Sequence, residues 1–354
     1  MISERLERVR EHLHDERADA LLVTKAANVR YLSGFGGSWG VLYIAEEYAE
    51  LITDGRYVVQ AREETKGWPG EIHIVSQGET LSRRISQLAP KRLGVENSIT
   101  LELYTKLVDT LSDTKVFPVS GWIEELRMVK EPEEVEGLRR AIEAAEAAFN
   151  AVFDTPPVGM REFEIAAELE YQMRRLHGAL PAFETIVAVG ERAAMPHARP
   201  SERVWSGSEP LLVDMGALLD GYHSDFTRVL MPREADSEVE RTFSAVEEAL
   251  SAALEGVMPG MLASEADALA RERLERHGLE GFFTHSLGHG VGLEIHEGPT
   301  LSPSSEQELK EGMVFTLEPG VYIEGKVGIR LEEMVLLGSS GVEVLTSLPR
   351  GLRV

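Results

Sequence analysis

The sequence predicts an α/β domain followed by an α+β domain in which helices and antiparallel hairpins recur in the same order. Three observations carry that prediction. Short apolar runs alternate with helical spacing over roughly the first 120 residues. At Val129-Lys-Glu-Pro132 the texture changes and a long amphipathic pattern begins. From there the order helix, helix, hairpin is followed by helix, helix, strands, the pattern of an internal duplication, although no residue-level repeat is visible. The expected limits are 1–121 for the first domain, 122–131 for a linker and 132–354 for the second domain.

Ile2, Leu6, Val9 and Leu13 fall at helical spacing and predict an opening amphipathic helix. Strand-like runs follow at 21–24, 41–45, 51–53, 72–76 and 93–95, with helical spacing again at Leu81, Ile85 and Leu88. Gly34, Gly36 and Gly37 lack the spacing and strand context of a dinucleotide-binding loop, so this stretch reads as a plain connection. Nothing in the first domain looks catalytic. Residues 122–130 read as the segment that carries the chain between domains. Pro132 suits a first helical turn, and Val135, Leu138, Ile142, Phe149 and Val152 give that helix an apolar stripe. Pro156-Pro157-Val-Gly159 ends it, a second helix spans about 162–177, and 185–189 reads as a strand before the loop with Pro196 and His197. Two further helices are expected at about 237–256 and 264–277, the latter opened by Ser264 with Asp267 three residues on, close to a capping box.

Composition narrows the function classes. The 354 residues are 43% hydrophobic and 27% charged, as in a soluble globular protein of two ordinary domains. A formal net charge of −24 argues against a nucleic-acid backbone or an anionic membrane as partner. The surplus of carboxylates suits divalent cations, but most of the 60 acidic residues must solvate the surface. Without cysteine there is neither disulfide nor thiolate metal site. The charged start lacks the apolar core of a signal peptide and no apolar run approaches membrane-spanning length, so a cytoplasmic protein is expected.

Chemistry concentrates in the second domain. Residues 211–230 read as two apolar strands joined by Asp220-Gly221, the dipeptide that most favours a two-residue hairpin turn. Asp214 and Asp225 sit inside these strands, where a carboxylate is costly unless compensated. With that turn, Leu219 faces Tyr222, Asp214 faces Thr227, and Asp225 lies opposite Gly216, on the face of Asp214 and one diagonal step away. Diagonal neighbours lie roughly 7–8 Å apart, less at the side-chain tips. Carboxylates that close on a dry face repel unless a proton or a cation lies between them, so the hairpin reads as half of a metal site. A one-residue slip would send the aspartates to opposite faces.

The other half comes later in the chain. His285, His289 and His296 occur among Gly288, Gly290 and Gly292, which disfavour a helix and predict an extended segment approached closely by other backbone. His289 and His296 differ in parity, so a bulge at the glycines is needed to bring both to one pocket. Over 313–337 a loop centred on Gly325 sets Glu318 directly opposite Glu332, whereas Glu333, of the other parity, reads as solvent-facing. Asp214, Asp225, His289, Glu318 and Glu332 offer too many donors for one tetrahedral zinc. They suit two divalent ions that share bridging carboxylates, with manganese or cobalt favoured by the oxygen-rich set and zinc or iron admissible.

The Asp214/Asp225 hairpin, His289 through Glu297, Leu317-Glu-Pro-Gly320 and Ile329-Arg-Leu-Glu332 together resemble the Xaa-Pro peptidases of the pita-bread metallopeptidase family. That family includes prolidase, aminopeptidase P and, more distantly, methionine aminopeptidase. Residues 1–120, with Asp19-Ala-Leu-Leu-Val and Asn28-Val-Arg-Tyr-Leu-Ser-Gly-Phe35, resemble the creatinase-type N-terminal domain. The segment Arg127-Met-Val-Lys-Glu-Pro-Glu-Glu-Val135 resembles the family's junction, so the likeness spans essentially the whole chain. It implies a creatinase-like α/β domain and a pita-bread α+β catalytic domain with an internal pseudo-two-fold duplication.

By that resemblance Asp214 chelates one metal, Asp225 and Glu332 bridge, and His289 and Glu318 complete the other, with a bridging hydroxide attacking the carbonyl before proline. It also implies Glu318 as proton shuttle and His296 as a stabiliser of the tetrahedral intermediate. His197 and His285 would line the substrate site, and Thr227 and Arg330 would orient carboxylates. The implied substrate is an Xaa-Pro dipeptide or short Xaa-Pro peptide, and the implied assembly is a homodimer. A dipeptidase needs a cation for its substrate's free carboxylate, for which Arg192, Arg199 or an N-domain arginine from a partner subunit all qualify. The fourteen-residue step from Glu318 to Glu332 resembles compact microbial prolidases, so a dipeptidase is expected ahead of an aminopeptidase P. A creatinase-like amidinohydrolase, or a pita-bread protein that only binds partners, would be expected to lack ligands that are intact here.

Overall fold

The computed structural model describes residues 2–354, and the chain divides into two compact units between Arg127 and Met128. Helix α1 (Ile2–Asp15) buries Leu6, Val9 and Leu13 at the expected spacing. There follow β1 (Ala20–Val23), α2 (Ala26–Ser33), β2 (Val41–Ala45), β3 (Ala49–Asp54), α3 (Val58–Glu64) and β4 (Glu71–Val75). The unit continues with α4 (Leu81–Leu88), β5 (Arg92–Glu96), α5 (Leu101–Thr110), β6 (Lys115–Val119) and α6 (Glu124–Met128). The sheet runs β4-β3-β2-β1-β5-β6, and β1, fully buried near its middle, reads as a continuous apolar run for that reason. Strand β6 carries Pro118, tolerated because β6 lies at an edge. Part of the expected linker is helical. Arg127 in α6 donates to Asn28 Oδ1 (2.7 Å), and Asn28 donates to Glu96 (2.7 Å) and Glu124 (2.8 Å), a polar anchorage that periodicity does not reveal.

In the second unit Pro132 opens α7 (Pro132–Phe153), where a missing N–H costs nothing, and Leu138, Ile142, Phe149 and Val152 are buried. Next come α8 (Glu162–His177), β7 (Leu180–Pro181), β8 (Ile186–Val189), β9 (Leu211–Met215), β10 (Ala217–Leu219), β11 (Tyr222–His223) and β12 (Phe226–Met231). The second half has α9 (Ser237–Gly256), α10 (Ala263–Arg276), β13 (Gly288–Gly290), β14 (Glu297–Leu301), β15 (Val314–Leu317), β16 (Gly320–Ile323), β17 (Val327–Arg330) and β18 (Glu333–Gly338). Strands β19 (Gly341–Val344) and β20 (Gly351–Arg353) close the chain. The duplication is visible in the pairing. In each half two helices precede a strand that pairs with a hairpin, β8 with β9/β12 and β13 with β15/β18. Each hairpin's tip, β10/β11 or β16/β17, pairs in a separate sheet. Among the described residues no helix is long and apolar enough to cross a membrane.

One expected cap is wrong. Helix α10 begins at Ala263, and Glu265 accepts the Leu262 N–H (2.8 Å). Asp267 lies a turn further in and is buried, taking Arg271 Nε (2.5 Å) and the Leu287 N–H (3.0 Å), so its carboxylate serves packing rather than the helix end.

The hairpin registers are as the turns predict. Asp220 (φ 49°) and Gly221 (φ 82°) make the two-residue turn, with Leu219 facing Tyr222 and Thr227 facing Asp214. In the second hairpin Gly320 faces Arg330 and Leu317 faces Glu333, which leaves Glu318 opposite Glu332. The first hairpin, however, is interrupted at Asp225 and the second at Glu318 and Glu332, whereas Asp214 stays in its ladder. The freed N–H groups bond elsewhere: Glu332 to Thr227 O (3.3 Å), Glu318 to Leu287 O (2.8 Å), Asp225 to Met334 Sδ (3.1 Å). Backbone that leaves its own ladder thereby stitches the two hairpins and the His289 segment together.

Strand β13 shows the bulge that parity required, a register shift between His289 and Gly290. A Cβ on Gly290 would fall 1.9 Å from Gly298 O, a backbone atom that cannot yield cheaply. Gly290→Ala is therefore expected to cost about 3 kcal/mol and roughly 6–12 °C in Tm. Gly281→Ala, with nothing within 4 Å of the new Cβ, is the matched control. Equal melting temperatures for the two variants would refute the close-approach argument.

Candidate active site

Asp214, Asp225, His289, Glu318 and Glu332 converge on one cleft of ≈ 610 Å³, which His197, His285, His296 and Arg330 also line. Donor atoms of Asp225, His289 and Glu332 all lie within 4.8 Å of one another. His289 Nε2 stands 3.5 Å from Asp225 Oδ2 and 3.6 Å from Glu318 Oε1. Its Nδ1 lies 3.2 Å from Gly290 O, so the proton sits on Nδ1 and the Nε2 lone pair faces the carboxylates. The His296 ring centroid is 4.3 Å from that of His289, His285 Nδ1 is 4.0 Å from Glu318 Oε2, and His197 is exposed on the cleft wall.

A lattice of donors holds these groups. Arg330 donates to Asp214 Oδ2 (2.5 Å), Thr227 Oγ1 (3.0 Å), Tyr322 Oη (2.9 Å) and Pro196 O (3.2 Å). The Thr227 hydroxyl donates to Glu332 Oε2 (2.7 Å), and Tyr322 Oη lies 2.8 Å from His285 Nε2. Behind the Glu332 backbone, buried Arg228 donates to the carbonyls of Thr227 (3.1 Å) and Glu332 (2.5 Å) and to Glu333 Oε2 (2.8 Å). Glu333 also takes Arg350 Nε (3.1 Å) and the Thr346 hydroxyl. It has the parity expected but is buried, not solvent-facing, because two arginines supply its counter-charge inside the fold.

Burial and mutual repulsion raise the acids. Burial, then Glu332 and Asp214, push Asp225 well above the usual carboxylate range; burial and Glu332 do the same to Glu318. Burial and Asp214 lift Glu332 to about 8, while burial raises Asp214 against the pull of Arg330. Burial lowers His285 and His289 to about 4, so both rings are neutral at pH 7 and the 3.5 Å contacts of His289 are not ion pairs. Asp214 Oδ1 is buried with no hydrogen-bond partner. Four crowded carboxylates, a bare imidazole lone pair and an orphaned carboxylate oxygen fit divalent cations and fit little else.

Comparison with known proteins agrees with this geometry. Residues 136–339 match the model of metallopeptidase family M24, and residues 5–129 match the creatinase/prolidase N-terminal domain. The chain belongs to family M24. This M24 peptidase is 34% identical to the Xaa-Pro dipeptidase of Pyrococcus furiosus, with 99% of this chain and 100% of that one aligned. It superposes on the Xaa-Pro dipeptidase from Bacillus anthracis at TM-score 0.94, 34% identical with both chains fully covered. The X-Pro aminopeptidase from Thermotoga maritima gives TM-score 0.90 at 39% identity, covering 99% of this chain and 100% of that one. The fold of the M24 peptidase is thus the pita-bread fold behind a creatinase-type domain, and its family implies divalent metal ions.

Sequence reasoning passed over Tyr322 and Arg228 in this M24 peptidase. Tyr322 has the parity of Glu318, Arg330 and Glu332 on the same hairpin, so the rule that paired those acids also puts its hydroxyl on their face. Arg228 offered no comparable signal, because a single arginine in an apolar strand does not say which buried acid it meets.

Proposed function

We propose that this M24 peptidase hydrolyses the bond before proline, with Xaa-Pro dipeptides as its first substrates. The observation that carries the reading is the convergence in one cleft of five side chains that can ligate a metal, with Asp214 Oδ1 left without a hydrogen-bond partner. In this reading Asp214, Asp225, His289, Glu318 and Glu332 would hold two divalent ions, and manganese or cobalt would suit so oxygen-rich a set. The ions, when bound, supply Lewis acidity and a hydrolytic nucleophile near neutral pH. The chain's own residues handle substrate and protons. The prolyl nitrogen of a tertiary amide carries no hydrogen and must gain one to leave. Glu318, set against His285 and His289 in the cleft, is the group placed to take the proton given up by the attacking water and deliver it. Exposed His296 steadies the carbonyl oxygen as charge grows on it, and His197 and His285 border the substrate, His285 oriented by Tyr322. Thr227 and Arg330 aim Glu332 and Asp214.

Ala-Pro and Ala-Pro-Ala assayed side by side with manganese, cobalt and zinc test the reading. Preferential turnover of Ala-Pro is expected. The 39% identity to an X-Pro aminopeptidase favours a second reading, for which the tripeptide would be the better substrate. Hydrolysis of neither peptide in any of the metals would sink both.

A further inference from the structure

The loop between β8 and β9 brings His197 and Arg199 to the cleft, and one buried carboxylate closes it. Glu162, with no solvent exposure, accepts the N–H groups of Val189 (2.8 Å) and Ser201 (2.8 Å), the Ser201 hydroxyl (2.6 Å) and Arg192 Nε (3.0 Å). Val189 and Ser201 flank the segment that carries both cleft residues, so a single group ties its two ends. Arg192 extends the tie, its Nη2 donating to Arg199 O (2.8 Å). Arg192 is therefore committed to Glu162, and Arg330 is committed to Asp214, Tyr322 and Thr227. Arg199 differs. Its side chain is 84% exposed, and its contact is Glu184 Oε2 at 3.5 Å, itself 65% exposed on the same cleft.

Resting on the Xaa-Pro peptidase reading, we propose that Arg199 is the specificity-determining residue that receives the free carboxylate of the substrate's proline, and that Glu162 is the positioning residue that holds it there. A dipeptide brings that anion into a cleft already crowded with carboxylates, where it needs a cation. A guanidinium offers two parallel donors to a carboxylate, and an exposed ion pair such as that with Glu184 is cheap to exchange. A longer peptide has an amide at that position and gains nothing from the charge.

Ala-Pro and Ala-Pro-amide share the scissile bond and differ in that charge, so the ratio of their kcat/KM values is the readout. Arg199→Gln should lower the ratio roughly tenfold to a hundredfold, the worth of a charge-assisted pair, mainly through KM for Ala-Pro, and Arg199→Lys should restore part of it. Glu162→Gln, checked for folding by its melting temperature, should lower the ratio as well, and the double variant should lose no more preference than Arg199→Gln alone, because the two act in series. An unchanged ratio in Arg199→Gln, with turnover retained, overturns the assignment and leaves the peptidase reading standing. Additive losses in the double variant overturn the role of Glu162. Failure of the unaltered protein to cleave either substrate overturns the peptidase reading, and the assignment with it.

Discussion

Glu332→Gln is expected to abolish Xaa-Pro hydrolysis, by on the order of 10³-fold or more, while the metal-free protein is as stable as its parent or more so. Glutamine is nearly isosteric and can still accept the Thr227 hydroxyl. It removes a charge that burial and Asp214 oppose strongly enough to lift the glutamate to about 8. What stabilises the folded metal-free chain is thus what ruins the site. The neighbouring Glu333→Gln should behave in the opposite way. Glu333 answers Arg228 and Arg350 in the interior, and leaving a buried arginine short of its counter-charge costs about 3–5 kcal/mol. Parallel denaturant melts and Ala-Pro assays of the two variants check the contrast. A Glu332→Gln protein that unfolds as readily as Glu333→Gln, or that keeps full activity, would overturn the assignment of Glu332 to a metal site.

Metal removal should make stability fall as pH rises between about 6.5 and 8, and excess manganese should reverse the trend. Glu332 titrates at about 8 in the folded chain, and Asp225 and Glu318 are raised further, against roughly 4 when unfolded. Above pH 4 to 5 the folded state therefore holds protons that the unfolded chain has released, and each increment of pH costs stability until those acids ionise. His285 and His289, lowered to about 4, and His296, also lowered by burial, act the other way, but their effect fades as pH rises past the unfolded value of 6.5 and the unfolded chain releases those protons. From 6.5 to 8 the raised carboxylates dominate. Divalent cations compete with the same protons, so their binding should tighten and release protons as pH rises. Urea melts at pH 6.5, 7.2 and 8 with chelator and with manganese decide it. A stability of the chelated protein that climbs across this window would contradict the crowded-carboxylate account.

Much of the site was readable because strand chemistry is local. A turn at Asp220-Gly221 and a loop centred on Gly325 set the registers, and a period of two then assigns Asp214, Thr227, Glu318 and Glu332 to their faces without knowledge of anything distant. The bulge at His289/Gly290 followed from parity in the same way. The misreadings share a different cause. Asp267 looked like a cap and Glu333 like a surface residue because burial of a charge depends on the partner, and Arg271, Arg228 and Arg350 are brought there by the fold. Arg192 and Arg199 looked equivalent until Glu162, distant in sequence, proved to hold one and not the other.

The sequence by itself determined the order of elements, the two hairpins with their acids in register, and the donor set that calls for divalent ions, since each depends on residues close along the chain. Only the tertiary structure decided that the hairpins break at Asp225, Glu318 and Glu332, that Glu332 and Glu318 spend their backbone N–H groups on Thr227 and Leu287, and that Arg228 clamps the carbonyls behind the site. Those choices were settled by hydrogen-bond satisfaction between segments far apart in the chain, from Leu287 and Glu318 to Thr227 and Glu332, and no local pattern encodes where a freed backbone group will find its partner.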